Sequence, residues 1–220
     1  MIQQLTKWPS RIFITGTDTG VGKTLISAML MMGLNGSYWK PIQSGLEDIT
    51  DTEWIREKTG LPNDRFFPET YRLQRPLSPH ASAKYDGVQI DLEAFHSPSI
   101  DPENHLIVEG AGGIMVPLNE RHLMLDLMKK LQLPVLLVAR SSLGTINHTL
   151  LSLEQLRRHK LEVMGVVING EKNPDNREAI EYYGDTQILA EVEPLSVLTP
   201  KSLKQGFLKY FEALIKGENI

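Results

Sequence analysis

Residues Gly16-Thr17-Asp18-Thr19-Gly20-Val21-Gly22-Lys23-Thr24 stand between an apolar run, Ile12-Phe13-Ile14, and a helix-like segment, Leu25 to Leu34. Strand, glycine-rich loop and helix in that order are the setting a phosphate-binding loop requires. Glycine lets backbone N–H groups close in on phosphate oxygens, and the start of the following helix adds partial positive charge. Lys23 is placed to reach the β- and γ-phosphates, and the Thr24 hydroxyl to ligate Mg²⁺. The plain pattern G-x-x-x-x-G-K-[ST] asks for glycine at position 17, where Thr17 stands. The intact Gly22-Lys23-Thr24 tail reads as a variant of that loop. A nucleoside triphosphate is the expected ligand.

The rest of the chain repeats the alternation. Strands are predicted over 11–15, 37–41, 105–108, 134–139 and 163–168, and helices over 23–34, 51–59, 122–131, 147–159 and 201–216. Thr50 is the expected N-cap of the second helix. Residues 60–90, rich in proline and aromatics, are the least regular. Buried strands alternating with helices predict an α/β fold: one domain spanning 1–220, a mostly parallel sheet with helices on both faces, P-loop NTPase-like. Ligands then gather at the carboxyl ends of the strands.

Composition excludes several classes. A chain of 220 residues with 41% hydrophobic and 23% charged residues is long enough to bury a large core. A formal net charge of -4 gives no ground for nucleic-acid binding. No cysteine is present, so disulfides, thiolate metal sites and a cysteine nucleophile are excluded, which fits a cytoplasmic location. The start, Met1 to Trp8, has no apolar core of signal-peptide length.

Leu106-Ile107-Val108-Glu109-Gly110-Ala111-Gly112-Gly113 is an apolar strand ending in a carboxylate, followed by a glycine loop. An acid at the end of a strand neighbouring the phosphate loop is a usual second protein contact to Mg²⁺. Lys40, in Tyr38-Trp39-Lys40-Pro41-Ile42-Gln43-Ser44-Gly45, reads on its own as a solvated edge lysine. Asp51 reads equally as a first-turn acid of its helix. Asn169, after Gly165-Val166-Val167-Ile168, offers a donor and an acceptor to an adenine edge, or serves a strand-end turn beside Gly170.

Taken together, Gly16–Thr24, Lys40-Pro-x-x-Ser44-Gly45, Thr50-Asp51, Ser78-Pro79-His80, Val108-Glu109-Gly-Ala-Gly-Gly113 and Leu143-Gly144-x-Ile146-Asn147-His148 resemble the dethiobiotin synthetase family, in its order and at compatible spacings over about residues 11–170. The resemblance implies closure of a ureido ring: 7,8-diaminononanoate, CO₂ and ATP give dethiobiotin, ADP and phosphate, through a carbamate and a carbamic-phosphoric mixed anhydride. It implies Mg²⁺ on Thr24, Asp51 and Glu109. Lys40, Lys23 and Thr19 are carried over as the groups serving the chemistry. Gly20, Val21, Gly22, Lys23, Thr24 and Leu25, with Glu109, Gly110, Ala111 and Gly112, surround the nucleotide. Asn169 and Gly170 meet the base, and Glu193, Pro194 and Leu195 close over it. Ser44 and Lys40 hold the reacting end of the substrate. A homodimer is implied, with Gly144, Thr145 and Asn147 receiving the substrate carboxylate from the neighbouring subunit. Nucleic acid and membrane are not expected partners. Two departures stand out: position 20 is Gly where some members carry Glu, and the tyrosine some members use near the substrate has two counterparts to choose from, Tyr182 and Tyr183.

The strongest rival is a partition-type ATPase switch acting through a protein or membrane partner. Leu203, Phe207, Leu208, Phe211, Leu214 and Ile215 form an apolar stripe flanked by Lys201, Lys204, Lys209 and Lys216, as a surface membrane helix requires. The alternative for that stripe is a terminal helix docked on the domain. Against the switch, no second lysine precedes Lys23 in the loop. A kinase releasing a phosphorylated small molecule is the third reading.

Overall fold

The computed structural model describes residues 8–216, without the side chains at 213, 215 and 216. The reading of the first seven residues lies outside this range, as do the side chains of Ile215 and Lys216.

The central strand, β1 (Arg11–Gly16), is followed by helix α1 (Lys23–Leu34). Then come β2 (Gly36–Trp39), β3 (Ile42–Ser44), α2 (Asp51–Thr59), β4 (Phe66–Phe67), β5 (Tyr71–Leu73), α3 (Pro79–Asp86) and β6 (His105–Gly113). The chain continues with α4 (Met124–Leu131), β7 (Val135–Arg140), α5 (Thr145–Arg158), β8 (Val163–Asn169), α6 (Pro174–Gly184), β9 (Ile188–Val192) and α7 (Pro200–Lys216). Seven strands form one sheet in the order β4-β2-β6-β1-β7-β8-β9, and every pairing in it is parallel. Strands β3 and β5 make a separate parallel pair.

Successive side chains leave a strand on opposite faces, so the sheet sorts its apolar residues into two cores. Ile12 and Ile14 of β1 join Ile107, Leu136 and Val167 on the face covered by α1, α2 and α7. Phe13 between them joins Leu106, Val108, Leu137 and Ile168 on the face covered by α4, α5 and α6. Leu203, Phe207, Phe211 and Leu214 of α7 are buried in the first core, and Trp8 packs on Phe207 and Phe211. A Cβ on Gly33 of α1 would strike the Phe207 ring, so the glycine permits this close packing. These four residues of the C-terminal stripe are therefore a docked face, while Leu208 is 44% exposed. Among the described residues no helix is long and apolar enough to cross a membrane.

Several boundaries shift for local reasons. The second strand stops at Trp39 because Pro41 has no N–H for the ladder. The helix expected from 122 starts at Met124, since His122 accepts from Leu118 N–H and Leu123 bridges to Pro117. The helix expected from 147 starts at Thr145. The glycine stretch after Glu109 is not a loop: β6 continues to Gly113. Ile14 pairs with Glu109 and Gly16 with Gly113, so three residues bulge opposite Thr15 alone.

Candidate active site

The carboxyl ends of β1, β2 and β6 open on a cavity of about 710 Å³. The phosphate loop forms one wall. Gly22, the residue before α1, has φ 102°, a left-handed conformation that a side chain would strain, and a Cβ there would collide with the Asn169 amide. Asn169 Nδ2 donates to Val21 O at 3.0 Å, which ties the end of β8 to the loop. Asp18 Oδ1 accepts from Thr19 N at 2.7 Å, and Lys23 Nζ donates to Asp18 O at 3.0 Å. Lys23 is buried, and no carboxylate pairs with it among the described residues. Burial pulls its pKa below the usual lysine value, against the weaker opposing pull of Glu109. An ammonium held this way is short of an anion, and a triphosphate supplies one.

Lys40 lies one residue beyond β2 and is 3% exposed, so it is no solvated edge lysine. Its Nζ is 2.6 Å from Asp51 Oδ2 and 3.3 Å from Glu109 Oε1. Burial alone would lower its pKa, but Glu109 and Asp51 outweigh that and raise it. Asp51 opens α2, whose cap is a reciprocal box: Thr50 Oγ1 accepts from Glu53 N, and the Glu53 carboxylate accepts from Thr50 N at 2.9 Å. Burial would raise the Asp51 pKa; Lys40, followed by Thr24, lowers it on balance.

Thr24 Oγ1 lies 3.0 Å from both Asp51 Oδ1 and Glu109 Oε1. One hydroxyl proton serves one carboxylate at a time, so three oxygens converge on a point that asks for positive charge. The described residues contain no cluster of three or more His, Cys, Asp or Glu fit to hold a metal. Two carboxylates and a hydroxyl beside a phosphate loop match the habit of Mg²⁺, which keeps waters and phosphate oxygens in its remaining positions. The donor set fits that ion.

Glu109 is 1% exposed, and its other oxygen is held from behind. Oε2 accepts from Ser27 Oγ at 2.8 Å and from Tyr38 OH at 2.9 Å. Burial, then the nearby Glu109 charge, pushes the Tyr38 pKa well up, so the phenol stays a donor. Ser44 Oγ is buried and has no hydrogen-bond partner among the described residues, and Ser44 lines the cavity. Gln43 links the same turn to α2: its Oε1 accepts from Asp51 N at 3.3 Å, and its Nε2 donates to Ser44 O at 3.0 Å. Pro76 to Pro79 close the far side.

The cavity thus gathers Thr19, Gly20, Gly22, Lys23, Thr24, Lys40, Ser44, Asp51, Glu109, Ala111 and Gly112 of the expected site. Val21, Leu25 and Gly110 lie behind it in the loop, helix and strand that form its walls. Asn169 and Gly170 flank the loop at the end of β8, and Gly170 N donates to Val192 O. Glu193 is drawn toward α7 by Lys209 Nζ at 3.0 Å, with Pro194 and Leu195 following it. Gly144, Thr145 and Asn147 are not in this cavity. Asn147 borders a separate groove between α5 and α6 with Tyr183. Thr145 is buried, its hydroxyl 3.5 Å from Thr149 Oγ1 and its N–H donating to Ser142 O.

Tyr38, Ser27 and Gln43 were not among the sequence candidates. Tyr38 carried a signal: a tyrosine in a wholly buried strand needs a hydrogen-bond partner. Ser27 follows Lys23 by four residues on one helix face, which sequence alone does not distinguish from ordinary packing.

Residues 10–202 match the model of a family described as an AAA domain. The chain is 50% identical over 192 residues to the ATP-dependent dethiobiotin synthetase BioD of Paramagnetospirillum magneticum, covering 87% of this chain and 92% of that protein. It is 48% identical over 201 residues to the protein of the same name from Bradyrhizobium diazoefficiens, covering 91% and 95%. Among solved structures, the MinC:MinD cell division protein complex of Aquifex aeolicus matches with a TM-score of 0.53 at 15% identity, over 96% of this chain and 97% of that one. At that identity the likeness is one of fold.

Proposed function

The chain belongs to the dethiobiotin synthetase family and its activity is the ATP-dependent synthesis of dethiobiotin; we propose that the cavity at the ends of β1, β2 and β6 is where its residues carry out that ring closure. The observation that carries the proposal is the meeting of Lys23, Thr24, Lys40, Asp51 and Glu109 around one space, with the unpartnered Ser44 hydroxyl lining the same cavity.

One amine of 7,8-diaminononanoate adds to CO₂, forming an N–C bond and giving up a proton to leave a carbamate. A carbamate oxygen attacks the γ-phosphorus of ATP, and the bond from that phosphorus to the bridging oxygen of ADP breaks. The second amine then attacks the carbonyl carbon and gives up a proton, phosphate leaves, and the ureido ring closes. Anion meets anion in the phosphoryl step, so most of the catalysis is positioning and charge compensation. Lys40, already an ammonium between two carboxylates, turns its charge to the carbamate and γ-phosphate. Lys23 serves the β- and γ-phosphates, and Thr19 lies at the open edge of the loop. The Ser44 hydroxyl hydrogen-bonds the substrate amine or carbamate. Thr24, Asp51 and Glu109 would hold Mg²⁺, which supplies charge neutralisation on the phosphates when bound.

Asn169 and Gly170, with Glu193, Pro194 and Leu195, form the site for the base. The working unit is a homodimer, in which each cavity receives the first turn of α5 from its neighbour, bearing Gly144, Thr145 and Asn147. A cytoplasmic location belongs to the same reading and is supported by the absence of cysteine.

The test is ADP release with diaminononanoate, bicarbonate, Mg²⁺ and ATP, omitting one component at a time. Each omission should abolish release. Release that persists without bicarbonate would make the protein a kinase and overturn the carbamate route.

A further inference from the structure

Glu109 comes from the end of the apolar part of β6 and is buried behind the phosphate loop. A buried carboxylate has two oxygens to satisfy, and here they are treated unequally. Oε1 looks toward Thr24 Oγ1 at 3.0 Å and Lys40 Nζ at 3.3 Å. Oε2 accepts from Tyr38 OH at 2.9 Å and lies 2.8 Å from the Ser27 hydroxyl. The donors come from different elements. Ser27 lies on α1, and its one hydroxyl proton is shared between Glu109 Oε2 and Lys23 O, which is also 2.8 Å away. Tyr38 lies on β2, whose register sets Tyr38 beside Ile107, two residues before Glu109 and on the same face of the sheet. The Tyr38 ring is fully buried and packs edge-on to Phe66 at 6.4 Å, so the hydroxyl has no freedom to turn elsewhere.

We propose that Tyr38, with Ser27, is a positioning residue that fixes Glu109 by its Oε2 so that Oε1 is presented to the cation at the nucleotide. The proposal rests on the reading of Glu109 as a metal ligand. Ligating carboxylates need such outer partners, because a carboxylate free to rotate loses affinity for the ion. Lys40 cannot do this work: it contacts the same oxygen that faces the cavity. Tyr38 gives Oε2 a full donor and Ser27 a proton shared with Lys23 O, from a strand and a helix of the core, and the other oxygen is left for function.

The test is direct binding of Mn²⁺ to the full chain in the presence of a non-hydrolysable ATP analogue, followed by electron paramagnetic resonance of the free ion. Tyr38→Phe keeps the ring and removes only the donor. It should raise the Mn²⁺ dissociation constant ~10-fold, and raise the Mg²⁺ needed for half-maximal turnover by a similar factor. Ser27→Ala, which leaves the strand untouched, should act in the same direction. Glu109→Gln is the reference for loss of the ligand itself. If Glu109→Gln weakens Mn²⁺ binding while Tyr38→Phe and Ser27→Ala only lower the melting temperature, the positioning role is overturned and Glu109 stays a ligand. If Glu109→Gln also leaves Mn²⁺ binding unchanged, the ligand assignment fails and this inference fails with it.

Discussion

Lys40 Nζ stands 2.6 Å from Asp51 Oδ2, joining the end of β2 to the first residue of α2 across the mouth of the phosphate loop. Neither residue is buried for packing. Asp51 is held there by a helix cap, and Lys40 by a strand that ends before a proline. The pair keeps an ammonium charged inside the protein, which is the state that the role proposed for Lys40 requires.

Lys40→Gln should therefore leave nucleotide binding nearly intact and cut turnover by orders of magnitude, because the residue is assigned to the developing anion and not to the base. Calorimetric titration of an ATP analogue alongside kcat measures both. Lost binding with full turnover at saturation would reverse the assignment.

Lys23→Ala removes the buried ammonium that donates only to Asp18 O among the described residues. Turnover should fall by orders of magnitude, with weakened ATP affinity as well. The fold should survive, since no ion pair is broken. Turnover at the wild-type level would remove the phosphate-loop assignment.

Much of this was legible in the sequence because it is local. The phosphate loop, the strand-end Glu109 and the strand–helix alternation follow from spacing and periodicity. Helix α6 and strand β9 were not read. Only Ile180 and Gly184 of α6 are buried, so the helix leaves no apolar stripe, and β9 is a short edge strand. Glu109 illustrates the same limit within the site. Its partners Ser27 and Tyr38 are 82 and 71 residues away, and only sheet register and helix packing bring them together. The glycines after Glu109 suggested a loop, whereas the neighbouring strand keeps them in a bulged β6.

The cap of α2 predicts a pH dependence. Glu53 accepts from Thr50 N at 2.9 Å and from the Thr50 hydroxyl at 2.7 Å, and these bonds lower its pKa. A carboxylate whose folded value lies below its unfolded one stabilises fully above the unfolded value of 4.5 and loses that contribution as pH falls through the folded value. Glu53 is exposed, so the effect is screened and small. The melting temperature of Glu53→Gln should fall less steeply than that of the unaltered protein from about pH 5 to about pH 3. Thr50→Ala should cost about 1 kcal/mol. Parallel melting curves for Glu53→Gln and the unaltered protein would show that the cap carries no charge-dependent stability.

Leu143 is 99% exposed, and Gly144, with φ 91°, turns the chain into α5. The first turn of a helix has N–H groups without intrahelical acceptors, and these suit a carboxylate. Thr145 uses its own N–H on Ser142 O, which leaves the task to its neighbours in the turn. None of Gly144, Thr145 and Asn147 lines the cavity of its own chain. The substrate carries its carboxylate far from its two amines, so a turn supplied by a second subunit is suited to hold that end if Lys40 and Ser44 hold the other, as proposed. Complementation decides the matter. An inactive Lys40→Gln protein is mixed with an Asn147→Ala protein that binds substrate poorly, and subunits are allowed to exchange. If sites are shared, one site of the mixed dimer carries both lesions and the other carries neither, so activity should rise above that of either parent. Exchange without a gain, or full activity from a monomer in solution, would show that each cavity works alone.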